Sequence, residues 1–476
     1  MGATISGRGL CAGLLAAAAL SLLPATGHAQ GSGERNPFSA FGDLFTGSLN
    51  RQQTNAPQQQ LQPSSPPASP APSSGVSAPK EWSGEDGASG HPLMTASAIR
   101  QSAANFSSCI AGFEGDAIRR GIQAENFRRF TAGLTPDLRI MDFVDAQPEF
   151  TKAVWDYLDI LVTDARLTRG RDMLAKHAAI FDQAEKTYGV DRYIIAAIWG
   201  IESNYSTQAG DRPVIRSTAT LACVGRRQKY FKDEFLAALE ILNRGDVKPE
   251  LLKGSWAGAF GATQFMPTAF KRDAIDFDGD GRRNIVESVP DVIASTSNKF
   301  KKSGWQNGQT WGYEVEIPQR FNFLYADRSR PLTMAQWQAL GVKRAGGKPF
   351  PRLTDQAYLI APGGAGGPGF LMLPNFKAIM RYNPSEAYAL AIGHFADRLR
   401  GGTPFVQTWP RDQRVLTRAE RYELQQLLAS RGFYRGEPDG SLGGKTQEAL
   451  RSYQASIGAP ADGFASSGML DRLRTR

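Results

Sequence analysis

The chain has 476 residues, 41% of them hydrophobic, and carries 55 lysines and arginines against 46 aspartates and glutamates, a formal charge of +9 at pH 7. That length suits two to three domains, and the apolar fraction is enough to bury a sizeable core, which excludes a wholly disordered or fibrous chain. The positive charge suits an acidic partner such as cell-wall carboxylates or anionic lipid; with no recognisable nucleic-acid module, nucleic acid is excluded.

Residues 1–29 combine Arg8, a mostly apolar run from Leu10 to Leu23, Pro24, and the small residues Gly27 and Ala29. The run is short for a bilayer span, so the layout predicts a secretory signal cut near Ala29 and a periplasmic protein without stable membrane insertion; a retained N-terminal anchor is the alternative. Cys11 opens the apolar run and is badly placed for lipidation. Export places Cys109 and Cys223, the remaining two cysteines, in an oxidising compartment, where one disulfide is expected, two separate buried thiols being the alternative. Residues 30–95 are largely Pro, Gln, Ser, Ala and Gly, too poor in apolar surface to repay ordering, and are expected to be a solvated tether.

Helical patterning begins near Ala96 and recurs over 116–133, 152–161, 171–188, 192–203 and 228–243. In the last of these, Phe231, Phe235, Leu239 and Leu242 fall three or four apart and share a face. Many helices and few candidate strands predict a mainly α domain. Glu202 ends the otherwise apolar run Ala196-Ala197-Ile198-Trp199-Gly200-Ile201. An ionised carboxylate is costly in apolar surroundings, so its pKa is expected to rise and the group to hold a proton it can donate. A helix-end glutamate reaching solvent is the plainer reading of the same run.

Three further stretches bear on that choice. Residues 254–261, Gly-Ser-Trp-Ala-Gly-Ala-Phe-Gly, are rich in small residues that let a backbone or ligand approach closely. Gln264-Phe265-Met266-Pro267 follows, and Arg381-Tyr382-Asn383 is expected to open another helical run. With the Glu202 stretch these resemble the lytic murein transglycosylases of the membrane-bound B type. The similarity continues through Trp155-Asp156-Tyr157, Gly210-Asp211, Ala219-Thr220-Leu221-Ala222, Arg226-Arg227 and residues 300–318, covering nearly all of residues 105–399.

The resemblance implies a lysozyme-like α-helical catalytic domain, residues 96–402, with a groove for glycan strands. It also implies cleavage, without water, of the β-1,4 bond between N-acetylmuramic acid and N-acetylglucosamine, with formation of 1,6-anhydromuramic ends. Glu202 then acts as acid and afterwards as base. An ordinary glycosidase needs a second carboxylate; here the substrate's own C6 hydroxyl attacks, and its 2-acetamido oxygen can steady the charge at C1. Asp211, Asp233 and Glu234 remain candidates for a second carboxylate folding back to the cleft. By the resemblance, Ser255 and Asn383 lie near the reacting sugar, while Gln264, Tyr382 and Tyr157 line the groove. Without it, Ser255 reads as a helix cap and the two tyrosines as core aromatics. Arg226 and Arg227 suit peptide-stem carboxylates, although an exposed basic pair is more often a solvated face.

Residues 276–287, Asp-Phe-Asp-Gly-Asp-Gly-Arg-Arg-Asn-Ile-Val-Glu, fit the twelve-position calcium loop. Asp276, Asp278 and Asp280 take positions one, three and five, Gly281 the sharp turn, the Arg282 carbonyl position seven, Asn284 position nine through a water, and Glu287 closes the set. Two arginines in the loop weaken cation affinity, and a metal-free Asp/Gly turn is the alternative. Any ion would be structural; catalysis itself needs no cofactor. Residues 363–369 are glycine-rich but lack the Gly-Lys-Ser/Thr ending of a phosphate loop and read as a flexible connection. His91, His177 and His394 are scattered, without paired metal spacing.

Residues 403–412 read as a linker, and residues 413–476 as a separate module. Within it Leu424-Leu427-Leu428, Gly432-Phe433-Tyr434, Asp439-Gly440, Tyr453-Gln454 and Asp462-Gly463 form an internal repeat with two Asp-Gly turns. This resembles the small three-helix peptidoglycan-binding domain, which would raise the groove's effective concentration on the wall; a packing appendage is the alternative. The expected partner is therefore the peptidoglycan glycan strand, met by a monomer. A hydrolytic muramidase and a catalytically idle wall-binding scaffold are the rival functions.

Overall fold

The computed structural model describes residues 81–87, 90–144 and 152–475, so residues 1–29 and most of the 30–95 segment lie outside the described residues. The helices run Ala96–Ala104, Phe106–Ala111, Glu114–Arg119, Ala124–Thr131, Ile140–Phe143, Val154–Leu161, Asp164–Lys176, Ala178–Tyr188, Arg192–Ser203, Val214–Cys223, Gln228–Arg244, Pro267–Asp273, Val289–Lys302, Met334–Ala339, Pro374–Tyr382 and Glu386–Leu399, then three in the tail. The patterning over 116–133 and 171–188 spans two helices each, broken at Gly121 and at His177. All described residues fall in one unit, Asn36–Arg476.

The Arg192–Ser203 helix is the spine of the fold. Asp191 caps its N-terminus by accepting from Tyr193 N at 2.8 Å, and every residue from Ile194 to Ser203 is buried. It is apolar on all sides because it packs between the Asp164–Lys176 and Glu386–Leu399 helices and beside the Val289–Lys302 helix. The close approach requires Gly200: a Cβ there would lie 2.6 Å from the Tyr205 ring and 2.9 Å from Phe395. A second core joins residues 94–144 to the Val214–Cys223 and Gln228–Arg244 helices, with Phe231, Phe235 and Leu239 buried along the face that the spacing predicted. Across it Cys109 and Cys223 form a disulfide with Cα atoms 6.0 Å apart, closing a loop of 114 residues.

A sheet between residues 312 and 372 departs from the expected mainly helical pattern. Besides the short antiparallel pair β1 (Arg212–Pro213) and β2 (Lys253–Gly254), strands β3 (Gly312–Glu316), β4 (Leu332–Thr333), β5 (Lys343–Arg344), β6 (Gln356–Ile360) and β7 (Gly369–Met372) assemble antiparallel in the order β4-β6-β7-β3-β5. Within this larger sheet β4 and β5 are only two residues long, and β6 and β7 are almost continuously buried, so neither gives an alternating pattern. Its core of Val315, Met334, Trp337, Val342, Leu359 and Leu371 is separate from the helical ones.

The glycine-rich stretch is more ordered than the expected flexible connection. Residues 364–366 make a short 3-10 turn leading into β7, and Ala365 N donates to Asp462 in the tail at 2.7 Å. Residues 403–412 are likewise held down. Phe405 packs on His394 and Phe370, Trp409 on Trp155 and Phe370, Glu314 accepts from Val406 N and Gln407 N, and Arg411 pairs with Asp159. Aromatic burial anchors a segment whose Gly and Pro content suggested looseness. The tail packs the Arg418–Ser430, Gly444–Ser456 and Ser467–Thr475 helices around Leu424, Leu428, Leu450, Tyr453 and Leu470. Its repeat is visible in side chains: Gln425 accepts from Asp439 N and Gly440 N, and Gln454 from Gly463 N. No described helix is long and apolar enough to cross a membrane.

Candidate active site

Glu202 occupies the last turn of the central helix and is only 3% exposed. The chain leaves the helix through three successive left-handed residues, Asn204, Tyr205 and Ser206, with φ of 48°, 58° and 70°. Such backbone is costly outside glycine and persists only where its surroundings fix it. Ser203 supplies part of that support, its Oγ donating to Ala262 O at 2.5 Å and accepting from Ser206 N at 2.9 Å. Trp199 Nε1 donates to Ser206 Oγ at 2.9 Å.

Facing Glu202 is Tyr388 on the Glu386–Leu399 helix, whose hydroxyl donates to Glu202 Oε1 at 2.5 Å. Burial and the neighbouring Glu202 charge push the Tyr388 hydroxyl well above its ordinary range, so it stays a donor. No sequence motif points to Tyr388. It lies five residues beyond Asn383, in the following helix, and carries no local signal, because only helix packing brings residues 202 and 388 together. The expected opening of a helical run at Arg381-Tyr382-Asn383 is also corrected: Tyr382 ends the Pro374–Tyr382 helix, and the next begins after Ser385, whose Oγ caps it by accepting from Tyr388 N.

The small-residue stretch folds back on itself. Gly254 bridges Phe260 and Phe260 bridges Phe265, while a Cβ on Gly254 would fall 2.0 Å from Ala259 O. Ser255 closes this turn, its N donating to Ala259 O and its Oγ accepting from Ala259 N at 3.1 Å, which leaves the hydroxyl proton available. Gln264 sits at φ 52°, held there by Nε2 donating to Ala209 O and Gly261 O, each at 2.8 Å. Its Oε1 is buried and has no protein partner, and the same holds for Nδ2 of Asn383, whose Oδ1 accepts from Ser385 N. A buried amide atom without a partner costs stability unless something else meets it.

Tyr382 is buried, stacked on Phe300 at 5.5 Å, and donates its hydroxyl to Thr263 O. Tyr157 is fully buried and its charge would act on Tyr388, so it belongs to the same aromatic wall. Arg226 and Arg227 line a small cavity with Met94, Met141, Leu221 and Phe231; Arg227 lies over the Tyr230 ring at 4.5 Å. None of the three candidate second carboxylates is drawn to Glu202. Asp211 is exposed, Asp233 pairs with Arg120, and Glu234 accepts from Thr268 N at 2.9 Å and Thr268 Oγ1 at 2.7 Å.

In the 276–287 loop, Asp276 accepts from Gly279 N and Gly281 N, and Asp278 from Asp280 N and Ser288 Oγ. Their carboxylates converge with that of Asp291, ligand atoms lying within 4.8 Å of one another. Asp291 lies outside the twelve positions and is buried, accepting from Phe277 N and Asn284 N. Asp280 instead pairs with Arg282 at 2.8 Å. Asn284 Oδ1 accepts from Val286 N and Glu287 N, and its Nδ2 donates to Glu287 Oε2.

Known proteins match the chain in sequence and in overall fold. Residues 105–397 match the transglycosylase SLT domain, and residues 417–473 the putative peptidoglycan binding domain. Membrane-bound lytic murein transglycosylase B of Escherichia coli (strain K12) is 31% identical over 242 residues, which are 50% of this chain and 64% of that protein, slightly under two thirds of its length. The crystal structure of SltB3 from Pseudomonas aeruginosa in complex with NAG-anhNAM-pentapeptide is 44% identical, with a TM-score of 0.75 over 78% of this chain and 99% of that one. An Escherichia coli lytic transglycosylase solved in complex with calcium is 26% identical, with a TM-score of 0.52 over 62% of this chain and 92% of that one. The chain belongs to the SLT-domain lytic transglycosylases and carries a peptidoglycan-binding domain at its C-terminal end.

Proposed function

We propose that the protein cleaves the β-1,4 bond between N-acetylmuramic acid and N-acetylglucosamine in peptidoglycan, leaving 1,6-anhydromuramic ends, with Glu202 as the one carboxylate of the reaction. The observation that carries this reading is the buried Glu202 met by the Tyr388 hydroxyl, with the three other acidic candidates engaged or exposed elsewhere. Protonated Glu202 gives its proton to the leaving glycosidic oxygen. The muramoyl C6 hydroxyl then attacks C1 and returns a proton to Glu202, so the acid is regenerated and no water is consumed. The Tyr388 hydroxyl holds one carboxylate oxygen in place through both steps.

The free Oε1 of Gln264 and Nδ2 of Asn383 supply an acceptor and a donor for sugar hydroxyl and acetamido groups. Ser255 Oγ keeps a proton to donate, while Tyr157 and Tyr382, both buried, back the site from within the core and do not offer a ring face to the sugar. Arg226 and Arg227 are suited to stem-peptide carboxylates. In this reading residues 1–29 are an export signal cut near Ala29 that delivers the protein to the periplasm, residues 96–402 cut the strand, and residues 413–476 hold the wall.

The 276–287 loop suits a structural calcium ion. Three convergent carboxylates repel one another unless a cation joins them, and the donor set is all hard oxygen. Asp276 and Asp278 would hold it, with Asp280, the Arg282 carbonyl, Asn284 and Glu287 as further candidates and Asp291 bracing the loop from beneath. The deciding experiment is mass spectrometry of muropeptides released from sacculi by the protein and by Glu202→Gln. Products one water lighter than hydrolysed ones, absent with the variant, support the reaction; reducing ends would replace it with hydrolysis.

A further inference from the structure

Lys299 borders this site and has no part in the reaction as described. It stands in the last turn of the Val289–Lys302 helix, half-buried, with its ammonium nitrogen 4.0 Å from the centroid of the Tyr382 ring and 4.7 Å from that of Phe265. Both rings belong to the wall of the site, Tyr382 through its bond to Thr263 O and Phe265 through the turn that presents Gln264. The ring faces attract the cation. Among the described residues no carboxylate comes within ion-pair distance of it: Asp273, the strongest charge acting on it, is taken by Arg272 at 2.7 Å and by Lys302 at 3.4 Å. Burial pushes the ammonium down to about 8, and the charges bearing on it are Asp273, Arg272, Glu202 and Glu234. Of these, Asp273 and Glu234 are already satisfied locally, Glu234 by Thr268. Glu202 accepts from the Tyr388 hydroxyl, and its charge bears on both Tyr388 and Tyr382, which burial keeps protonated.

A single carboxylate that must first give up a proton and then recover it works best with a proton affinity near the operating pH. An apolar pocket alone raises that affinity, and a neighbouring cation lowers it. We propose that Lys299 is a positioning residue for Glu202: its ammonium fixes the Tyr382 ring beside the site and lowers the proton affinity of the Glu202 carboxylate, tuning it for both steps. This rests on Glu202 being the acid and base.

The test compares Lys299→Met and Lys299→Arg with the unaltered protein, measuring kcat/KM for release of muropeptides from pH 5 to pH 9, with Glu202→Gln as the blank. Lys299→Met is expected to move the alkaline limb, on which Glu202 loses its proton, upward by about half a pH unit, and Lys299→Arg to restore it. The difference should fade above a pH of about 8, where Lys299 itself loses its charge. Melting temperature of Lys299→Met should not fall, because an apolar chain replaces a half-buried cation without a counter-ion. An unmoved limb with activity lowered equally at every pH would overturn the proposal and leave the reading of Glu202 standing. Reducing ends from the unaltered protein would overturn both.

Discussion

Glu202 lies at the end of a buried helix and accepts from a tyrosine hydroxyl, whereas Asp276 and Asp278 reach the surface above buried Asp291 and are met mostly by backbone N–H groups. All are carboxylates, yet what replaces water around them differs. A hydroxyl in an apolar pocket holds a carboxyl group in position while leaving it able to exchange a proton. Amides converging on several clustered carboxylates instead fix their oxygens in place, close to one another. The contrast teaches that acidic chemistry in this chain is set by the donors each fold segment offers, and only secondarily by the count of acidic residues.

The largest effect expected from breaking the comparison is at Glu202. Glu202→Gln keeps the shape but cannot exchange a proton, so kcat should fall by about 10³-fold or more with an unchanged melting temperature; residual activity above a tenth of the original would mean another group supplies the proton. Tyr388→Phe removes the hydroxyl and keeps the ring, and kcat should drop about 10- to 100-fold with KM nearly constant. A rise in KM alone would make Tyr388 a substrate-binding group.

On the other side of the comparison, chelation should lower the melting temperature by about 5 °C while leaving kcat at 25 °C unchanged, and Asp276→Asn should abolish the difference between calcium and chelator. Equal melting curves for the unaltered protein in both would leave the loop metal-free. A smaller effect calibrates burial by itself. His394 is buried against Phe405, and burial pushes it down to about 3. The unfolded chain therefore binds more protons between that value and the ordinary histidine range near 6.5, so this contribution is whole above about pH 6.5 and is lost as pH falls toward 3. Denaturant melts of His394→Phe should show a shallower decline from pH 6.5 to pH 4 than the unaltered protein. Asp397, pushed up to about 6 by burial, acts with the opposite sign but is common to both. Parallel declines would show that His394 is not what burial penalises.

Legibility followed the range of the signal. The apolar run ending at Glu202, the shared face of Phe231, Phe235 and Leu239, and the two Asp-Gly turns of the tail were all readable, because each depends on neighbours within a few residues. The sheet was not, because its strands are short or buried on both faces and pair across up to 60 residues, as Gly312 does with Met372. Nor was the anchoring of residues 403–412, where Phe405 and Trp409 find partners in distant elements.

By itself the sequence determined the helical periodicity, the chemistry available at Glu202, Gln264 and Asn383, and the twelve-residue acidic loop, since residue type and short-range spacing fix propensity and functional group. Only the tertiary structure decided which groups act together. It set Tyr388 on Glu202 across 186 residues, turned Glu234 to Thr268, brought Asp291 beneath Asp276 and Asp278, and laid Lys299 on the Tyr382 ring. The reason is physical: hydrogen bonds and short-range charge effects act over a few ångströms of space, and helix packing, which the local pattern leaves open, determines who falls within that distance.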